Sequence, residues 1–529
     1  MSFLPPRSKN NLQRLLQQAV ELHSSGQMDA AYAAYRKVIS LDPRNFDGLH
    51  LMGVLQAQQG HPKRAIEWIQ KAIAIYADHP AAHANLGNAY KELQQYDQAL
   101  GCLQRALKLA PDYAKAHAHL GHLWLLMREH EKAISSLNRS LELDPQDHEA
   151  WSNLGVAFIE IKKPEEAIAP LEQAIQLQPS FAAAHANLGS AKLAMGKNSE
   201  ALEHLQKAIS LKPTSADALA NMGALLKSRE QFDQALEYLN KAIAIEPHHA
   251  DAYSNKGLVL FQMEQHEGAM AAFAQAIALN SNNPDFYSNL GNVLLAWGDT
   301  DQALAAFDNA IRLDPGHAHA YSNRGNALAK KRRYPEALDS FQKAMHLDSE
   351  TPEYRLNFAI ALSEADQYEL AFEQYQHFLK MKPDSLDGYH NLGMSEMKEL
   401  RFDQAIDCFN KMLAMDPQHA EAHFSKSLAL LVTGNYKDGW KEYEWRWAAK
   451  SSKLKPRTFA KPRWQGHESL IDKTIFIYQE QGLGDTIQFV RYIALLKQLG
   501  ARVIFETPQP LLELFSINRL ADQLIPPSG

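Results

Sequence analysis

Residues 82–113 read AHANLGNAYKELQQYDQALGCLQRALKLAPDY. Apolar residues recur at helical spacing on both sides of a polar centre, so the stretch predicts two helices joined by a tight turn. The second helix has to end before Pro111, which offers no N–H and clashes with the preceding turn. Gly87 and Ala99 are small where the two helices would cross, and Ala106 is small where the second would meet the next element. Leu86 and Leu103 are large enough to fill the space between them. A pair this short cannot bury its own apolar face, so the remaining core must come from neighbours.

The neighbours are copies. Gly155, Ala167, Ala174 and Pro179 are followed by Gly189, Ala201, Ala208 and Pro213, then by Gly223, Ala235, Ala242 and Pro247, a period of 34 residues. The Pro position keeps register from Pro43 through Pro111, Pro145, Pro315 and Pro383 to Pro417, with Ala77, Ser281 and Ser349 as substitutes. Phe273, Phe307, Phe341 and Phe409 take the filling role of Leu103. Twelve repeats begin near residues 12, 46, 80, 114, 148, 182, 216, 250, 284, 318, 352 and 386, and a degenerate thirteenth near 420. This metre of helix pairs resembles the tetratricopeptide repeat (TPR). The resemblance implies a mostly α fold, a right-handed superhelical solenoid whose first helices line the concave side. The implied partners are proteins or extended peptides held in that concave groove.

Composition agrees with such an array. The chain has 529 residues, 46% hydrophobic and 22% charged, and a solenoid escapes the size limit on a single core by growing in one dimension. A net charge of −7 is too mild to name a partner. Cys102 and Cys408 occupy equivalent positions far apart along the stack, so no disulfide between them is expected, and a reducing compartment fits. The start, MSFLPPRSKN, lacks the apolar core of a signal peptide, and no run approaches the length of a membrane span. A cytoplasmic chain without metal or cofactor is the expectation.

The sixth position of the repeats is occupied by Asn85, Asn153, Asn187, Asn221, Asn255, Asn289, Asn323, Asn357 and Asn391. Asn is an indifferent helix former, so helix propensity does not explain the recurrence. A side-chain amide carries donors and an acceptor, which suits the backbone of an extended peptide. A similar Asn ladder grips polypeptide in the TPR arrays of protein O-linked N-acetylglucosamine transferases. The alternative is a structural role, with each amide bonding inside the array. The fourth position is aromatic or His in most repeats: His83, His117, Trp151, His185, Tyr253, Tyr287, Tyr321, Tyr389 and His423. Residues one repeat apart are too distant to share a metal, so these rings read as amphipathic packing at a helix edge, with a row of partner contacts as the alternative.

The thirteenth pair breaks the pattern, with Ser427, Gly439 and Arg446 at the three small positions. Its second helix, YKDGWKEYEWRW, concentrates Trp440, Tyr443, Trp445 and Trp447, and Trp464 follows. So many rings exceed what closing a solenoid needs, and they predict docking of a following domain. Residues 436–465 hold nine Lys/Arg against three Asp/Glu, a local +6 on a chain of net −7. Residues 451–472 lack helical period and contain Pro456 and Pro462, which predicts an extended basic connector, solvated or lying on the acidic array. Nucleic acid is not an expected partner, because one short patch is no nucleic-acid footprint.

From residue 473 the period changes. TIFIY (474–478), a Gly-containing loop, a helix over 486–500, the strand ARVIFET, a helix PQPLLELF and a short strand ADQLI give a βαβαβ order, a partial α/β Rossmann-like half-domain. Gly482 and Gly484 are expected to let the chain turn sharply from strand to helix. Asp485 is expected either to cap that helix or to act as a general base at the carboxyl edge of the sheet. The dinucleotide fingerprint is incomplete, since Ile487 stands at the third Gly position. The strings WKEYEWRW, RTFAKPRWQG and EQGLGDTIQFVRYIALLKQLGARVIFE resemble a bacterial group of TPR proteins with a C-terminal domain similar to lipopolysaccharide heptosyltransferases. That resemblance implies the two-Rossmann glycosyltransferase architecture called GT-B, with Asp485 as the acceptor-activating base. It also implies a further, donor-binding half beyond three strands, and a nucleotide-sugar would bind only to an enzyme containing it. The expected organisation is a tail over 1–11, twelve repeats over 12–419, a capping pair over 420–450, the connector over 451–472 and the incomplete α/β domain over 473–529. The expected function is a protein-binding scaffold, non-catalytic as this chain. The alternative is a sugar transferase whose array selects the acceptor.

Overall fold

The computed structural model describes residues 6–452, 454 and 456–527, with side chains from residue 11 onward; residues 1–5 of the expected tail lie outside the described residues. The chain forms two compact units, Met1–Lys331 and Arg332–Gly529. The boundary falls in the turn between the helices Ala318–Lys330 and Tyr334–Leu347, inside one repeat.

The first unit is a run of antiparallel helix pairs, from Pro6–Ser24 with Met28–Leu41 to Pro284–Trp297 with Thr300–Leu313, closed by Ala318–Lys330. Its first helix starts ahead of residue 12, at a Pro whose fixed φ and missing N–H suit the first helical position. The small residues fall at the crossings. A Cβ on Gly87 would lie 2.8 Å from Cγ of Leu103 and 3.1 Å from the carbonyl oxygen of Ala99. On Gly155 it would lie 2.4 Å from Cγ of Leu171, and on Gly291 2.5 Å from the Phe307 ring. Ala99, Ala106, Ala201 and Ala208 have no exposed surface. Where Ser140 replaces the second Ala, its hydroxyl donates to the carbonyl of Ala114, 2.9 Å away, so the buried oxygen keeps a partner.

Two features of the joints are invisible to hydrophobic periodicity. The turn inside each pair places its fifteenth residue in the left-handed region: Gly26, Gly60 and Gly196 there, but also Gln94, Arg128, Lys162, Glu230 and Glu264 with φ between 58 and 60°. Between pairs, ring nitrogens at the fourth position donate to the carbonyl six residues earlier. His83 reaches Ala77 at 2.7 Å, His117 reaches Pro111 at 2.9 Å, Trp151 reaches Pro145 at 2.9 Å and His185 reaches Pro179 at 3.1 Å. These rings therefore satisfy backbone acceptors where the inter-repeat loop leaves the helix.

The second unit continues with Tyr334–Leu347, then pairs Pro352–Glu364 with Tyr368–Met381, Leu386–Lys398 with Phe402–Met415, and Ala420–Val432 with the short Tyr436–Tyr443. A 3₁₀ turn over Glu444–Trp447 follows. The small α/β element then forms a parallel sheet of β1 (Thr474–Tyr478), β2 (Arg502–Glu506) and β3 (Gln523–Ile525), in that spatial order. Thr474 pairs with Arg502 and Tyr478 with Glu506 in register. Ile475 and Ile477 alternate onto one face with buried Val503 and Phe505, against Ile493, Leu511 and Phe515 of the crossover helices. The expected single helix over 486–500 is instead Leu483–Phe489, a 3₁₀ turn and Ile493–Gln498, ending at Gly500 with φ 86°. Among the described residues no helix is long and apolar enough to cross a membrane.

Candidate functional site

Two places bring the singled-out residues together, one within the repeat pairs and one at the last pair. In the first unit, first helices of successive pairs touch each other, as His148–Glu160, Ala182–Ala194, Ala216–Ser228 and Ala250–Gln262 do. The Asn ladder lies on these first helices, and Asn85, Asn153, Asn187, Asn221, Asn255, Asn289 and Asn323 are all half-buried. Some amides work inside the array. Asn85 Nδ2 donates to His50 Nε2 at 3.0 Å and Asn187 Nδ2 donates to Ser152 Oγ at 3.3 Å, each reaching back to the fifth position of the preceding repeat. In the second unit Asn357 and Asn391 are likewise half-buried, and Asn391 donates to the Asp387 carbonyl of its own helix at 2.9 Å. Asn221 and Asn255 have no hydrogen-bond partner among the described residues.

A carboxylate precedes Asn255 on its own helix. Asp251, one turn before it, is exposed, yet loss of solvation pushes its carboxyl pKa up, against the charges of His249 and of Arg128 from four repeats earlier. Asp217 is held below the usual carboxylate range, chiefly by a hydrogen bond from His249 Nε2 at 3.1 Å. His50 is driven the other way: burial and the nearby His79 lower its pKa to about 4, so it stays neutral and accepts from Asn85.

The second place is a cleft of about 760 Å³ between the last helix pair and the carboxyl end of β1. Arg446 holds its floor. This residue stands where the repeats carry Ala, and its side chain is only 4% exposed. Its Nε and Nη2 donate to the two oxygens of Glu480 at 2.6 and 2.9 Å, and Nη1 donates to the Tyr443 carbonyl at 3.1 Å. The guanidinium lies over the rings of Tyr443 and Trp447, 4.7 and 4.4 Å from their centroids. Burial works against its charge, but hydrogen bonding and charge from Glu480 and then Glu444 outweigh it and keep the pKa above the ordinary value. Beside it, Gln481 Nε2 donates to the Tyr443 hydroxyl at 2.8 Å.

The aromatic residues divide by task. Trp440 meets Tyr443 edge to face at 5.5 Å, and both line the cleft. Trp464 packs on the α/β core and donates from Nε1 to the Glu468 carbonyl at 3.0 Å. Trp445 turns back to the repeats and stacks flat on His423, with centroids 4.2 Å apart. Most described residues of the connector are exposed to solvent, and Ser451 at its start donates from its backbone N–H to Glu421 of the last repeat pair at 2.9 Å. Phe459 packs on Phe476 and Tyr478, the face of β1 opposite the crossover helices, and Arg457 forms an ion pair with buried Glu506. Glu506, the acid at the end of the second strand, is thereby engaged inside the protein.

The Gly loop differs from expectation. Gly482 has φ −66° and Gly484 is helical with open space where a side chain would be, so neither is demanded by the turn. Asp485 is not the cap: Gly482 is, and Asp485 is the third residue of the helix Leu483–Phe489. Its exposed carboxylate lines the cleft, with Oδ2 3.6 Å from where a Cβ on Gly482 would stand. Sequence reasoning passed over Glu480, Gln481, Phe489 and Tyr492, all of which line the cleft. The available signal was Arg446 itself, a charge at a position that the repeats bury. Among the described residues no group of three or more His, Cys, Asp or Glu is placed to hold a metal, and both cysteines are free.

Comparison with known proteins speaks to the helical part. Residues 55–279 match the family model described as the cilia and flagella-associated protein 70 C-terminal domain. Residues 288–352 and 390–450 match a tetratricopeptide repeat model, and residues 20–60 a TPR repeat model. Curated proteins yield no match. Among solved structures, the crystal structure of the APC/C hetero-tetramer Cut9–Hcn1 is similar with a TM-score of 0.59 and 15% identity, over 84% of this chain and 94% of that one. Tetratricopeptide repeats are thus found within residues 20–60, 288–352 and 390–450, and the helical array as a whole resembles a TPR solenoid.

Proposed function

We propose that this chain is a scaffold that holds an extended polypeptide along its first helices, with the α/β element as a docked accessory. The supporting observation is the pair Asn221 and Asn255: half-buried amides, one repeat apart, with no partner among the described residues, and with the exposed Asp251 one turn before Asn255. A peptide backbone offers donors and acceptors at regular intervals, and such amides can answer both. The test is mass spectrometry of polypeptides that co-purify with the chain, repeated for Asn221→Ala combined with Asn255→Ala. Loss of the captured polypeptide with unchanged helix content supports the reading; undiminished capture makes the ladder purely structural.

A second reading is sugar transfer, favoured by Asp485 at the carboxyl end of β1, where open α/β sheets bind ligands. The described residues contain a single three-stranded sheet, whereas GT-B transfer needs two Rossmann halves. Transfer that Asp485→Asn abolishes would establish the enzymatic reading instead.

A further inference from the structure

The cleft beside Arg446 carries a chemistry of its own. Its walls hold large rings exposed to solvent: Trp440 is 49% exposed, Phe489 46% and Tyr492 52%. Three carboxylates line it, Glu444, Glu480 and Asp485, against two guanidiniums, Arg446 and Arg463. Both guanidiniums are already engaged: Arg446 by Glu480, and Arg463 by Glu444, with Nη2 3.0 Å from Oε1. Asp485 is left as an exposed carboxylate facing a largely apolar cavity, and no salt bridge neutralises it among the described residues. The cleft thus has a net charge of −1 from the five charged groups named here.

The geometry points to a binding site for a polypeptide segment that presents an Arg or Lys side chain flanked by apolar residues. Ring faces attract a cation through their quadrupole, most strongly where water is scarce, and Asp485 supplies the counter-charge. The aliphatic stem of such a side chain lies against apolar walls while its head reaches the carboxylate. A volume of about 760 Å³ exceeds what a single side chain fills and suits a short segment. An anionic ligand would instead meet three carboxylates and two cations that are already paired, at a site where like charge is costly.

The test uses the whole chain and follows Trp fluorescence, since Trp440 and Trp464 line the cleft. The probes are acetyl-Ala-Leu-Arg-Leu-Ala-amide, its Glu counterpart and ADP. Saturable quenching by the Arg peptide is expected, about tenfold tighter than by the Glu peptide and weaker at high salt. Asp485→Asn should abolish the preference between the two peptides, and Trp440→Ala should weaken the Arg peptide while helix content stays the same. Equal binding of both peptides, a preference that survives Asp485→Asn, or no saturable signal from the Arg peptide overturns the proposal, as does tighter binding of ADP. The site is independent of the ladder, so the combined Asn221→Ala and Asn255→Ala chain should bind the Arg peptide as the parent does.

Discussion

Nε of Arg446 lies 2.6 Å from one carboxylate oxygen of Glu480 and Nη2 2.9 Å from the other, so the last repeat and the loop after β1 share one two-pronged ion pair. The pair sits at the position where every complete repeat buries Ala or another uncharged side chain. Removing one member leaves a poorly solvated charge without its partner. Arg446→Ala should cost the second unit about 3 kcal/mol, toward the low end for buried pairs because Glu480 keeps some solvent contact. Arg446→Lys should rescue little, since an ammonium cannot reproduce the fork or lie over Tyr443 and Trp447. Urea unfolding and limited proteolysis of residues 456–473 would report the loss, and adding Glu480→Gln should recover part of it.

Two glycines of the repeats predict opposite outcomes for one substitution. A Cβ on Gly223 would stand 2.5 Å from Cγ of Leu239, so Gly223→Ala should cost roughly 1–3 kcal/mol through overpacking. Gly101 lies in the exposed part of the helix Tyr96–Leu109 with nothing within 4 Å of its missing Cβ. Gly101→Ala should therefore stabilise by about 0.5–1 kcal/mol. Thermal unfolding of both variants checks the pair.

The intra-pair turn can be improved. Leu400 holds φ 59° while 72% exposed, so its side chain contributes little and its backbone is strained. Leu400→Gly should raise stability by about 1 kcal/mol, and the reverse change at Gly60, Gly60→Leu, should lower it by a similar amount. Equilibrium denaturation of the two variants would show whether the signs are opposite.

Acid should act on the first unit through His50. Its pKa is lowered from 6.5 to about 4 when folded. Above the unfolded value both states are neutral; as pH falls below it, only the unfolded chain gains the proton. Stability is therefore lost downward from about pH 6.5 until the folded pKa near 4 is reached. Between about pH 7 and pH 5 this residue alone should account for about 2 kcal/mol, and His50→Gln should flatten that part of the profile. Protonation would also forfeit the acceptor that Asn85 uses. Urea titrations at the two pH values test the difference between the parent and the variant.

The repeat metre was legible because it follows from close packing: Gly87 over Leu103 allows no Cβ, and Pro111 allows no further helix, so the residue types themselves encode crossing and stop. The first strand was equally open to reading, since 474–478 is a continuous apolar run and both of its faces pack, Ile475 and Ile477 on one and Phe476 and Tyr478 on the other. Local chemistry was less legible. Gln94 and Leu400 give no sign of their left-handed backbone, because the turn is imposed by the helices on either side. Asp485 looked like a cap by composition, yet the helix starts one turn earlier, at a position set by how β1 ends.

By itself, the amino-acid order determined the helix pairs, their spacing and the change to a parallel sheet near residue 473, for these depend on the size and pattern of residues close in the chain. Tertiary structure alone decided which charges meet: Arg446 with Glu480, Arg457 with Glu506, Arg128 near Asp251. Such pairs join residues far apart in sequence, and their strength depends on burial and distance, neither of which any local pattern records.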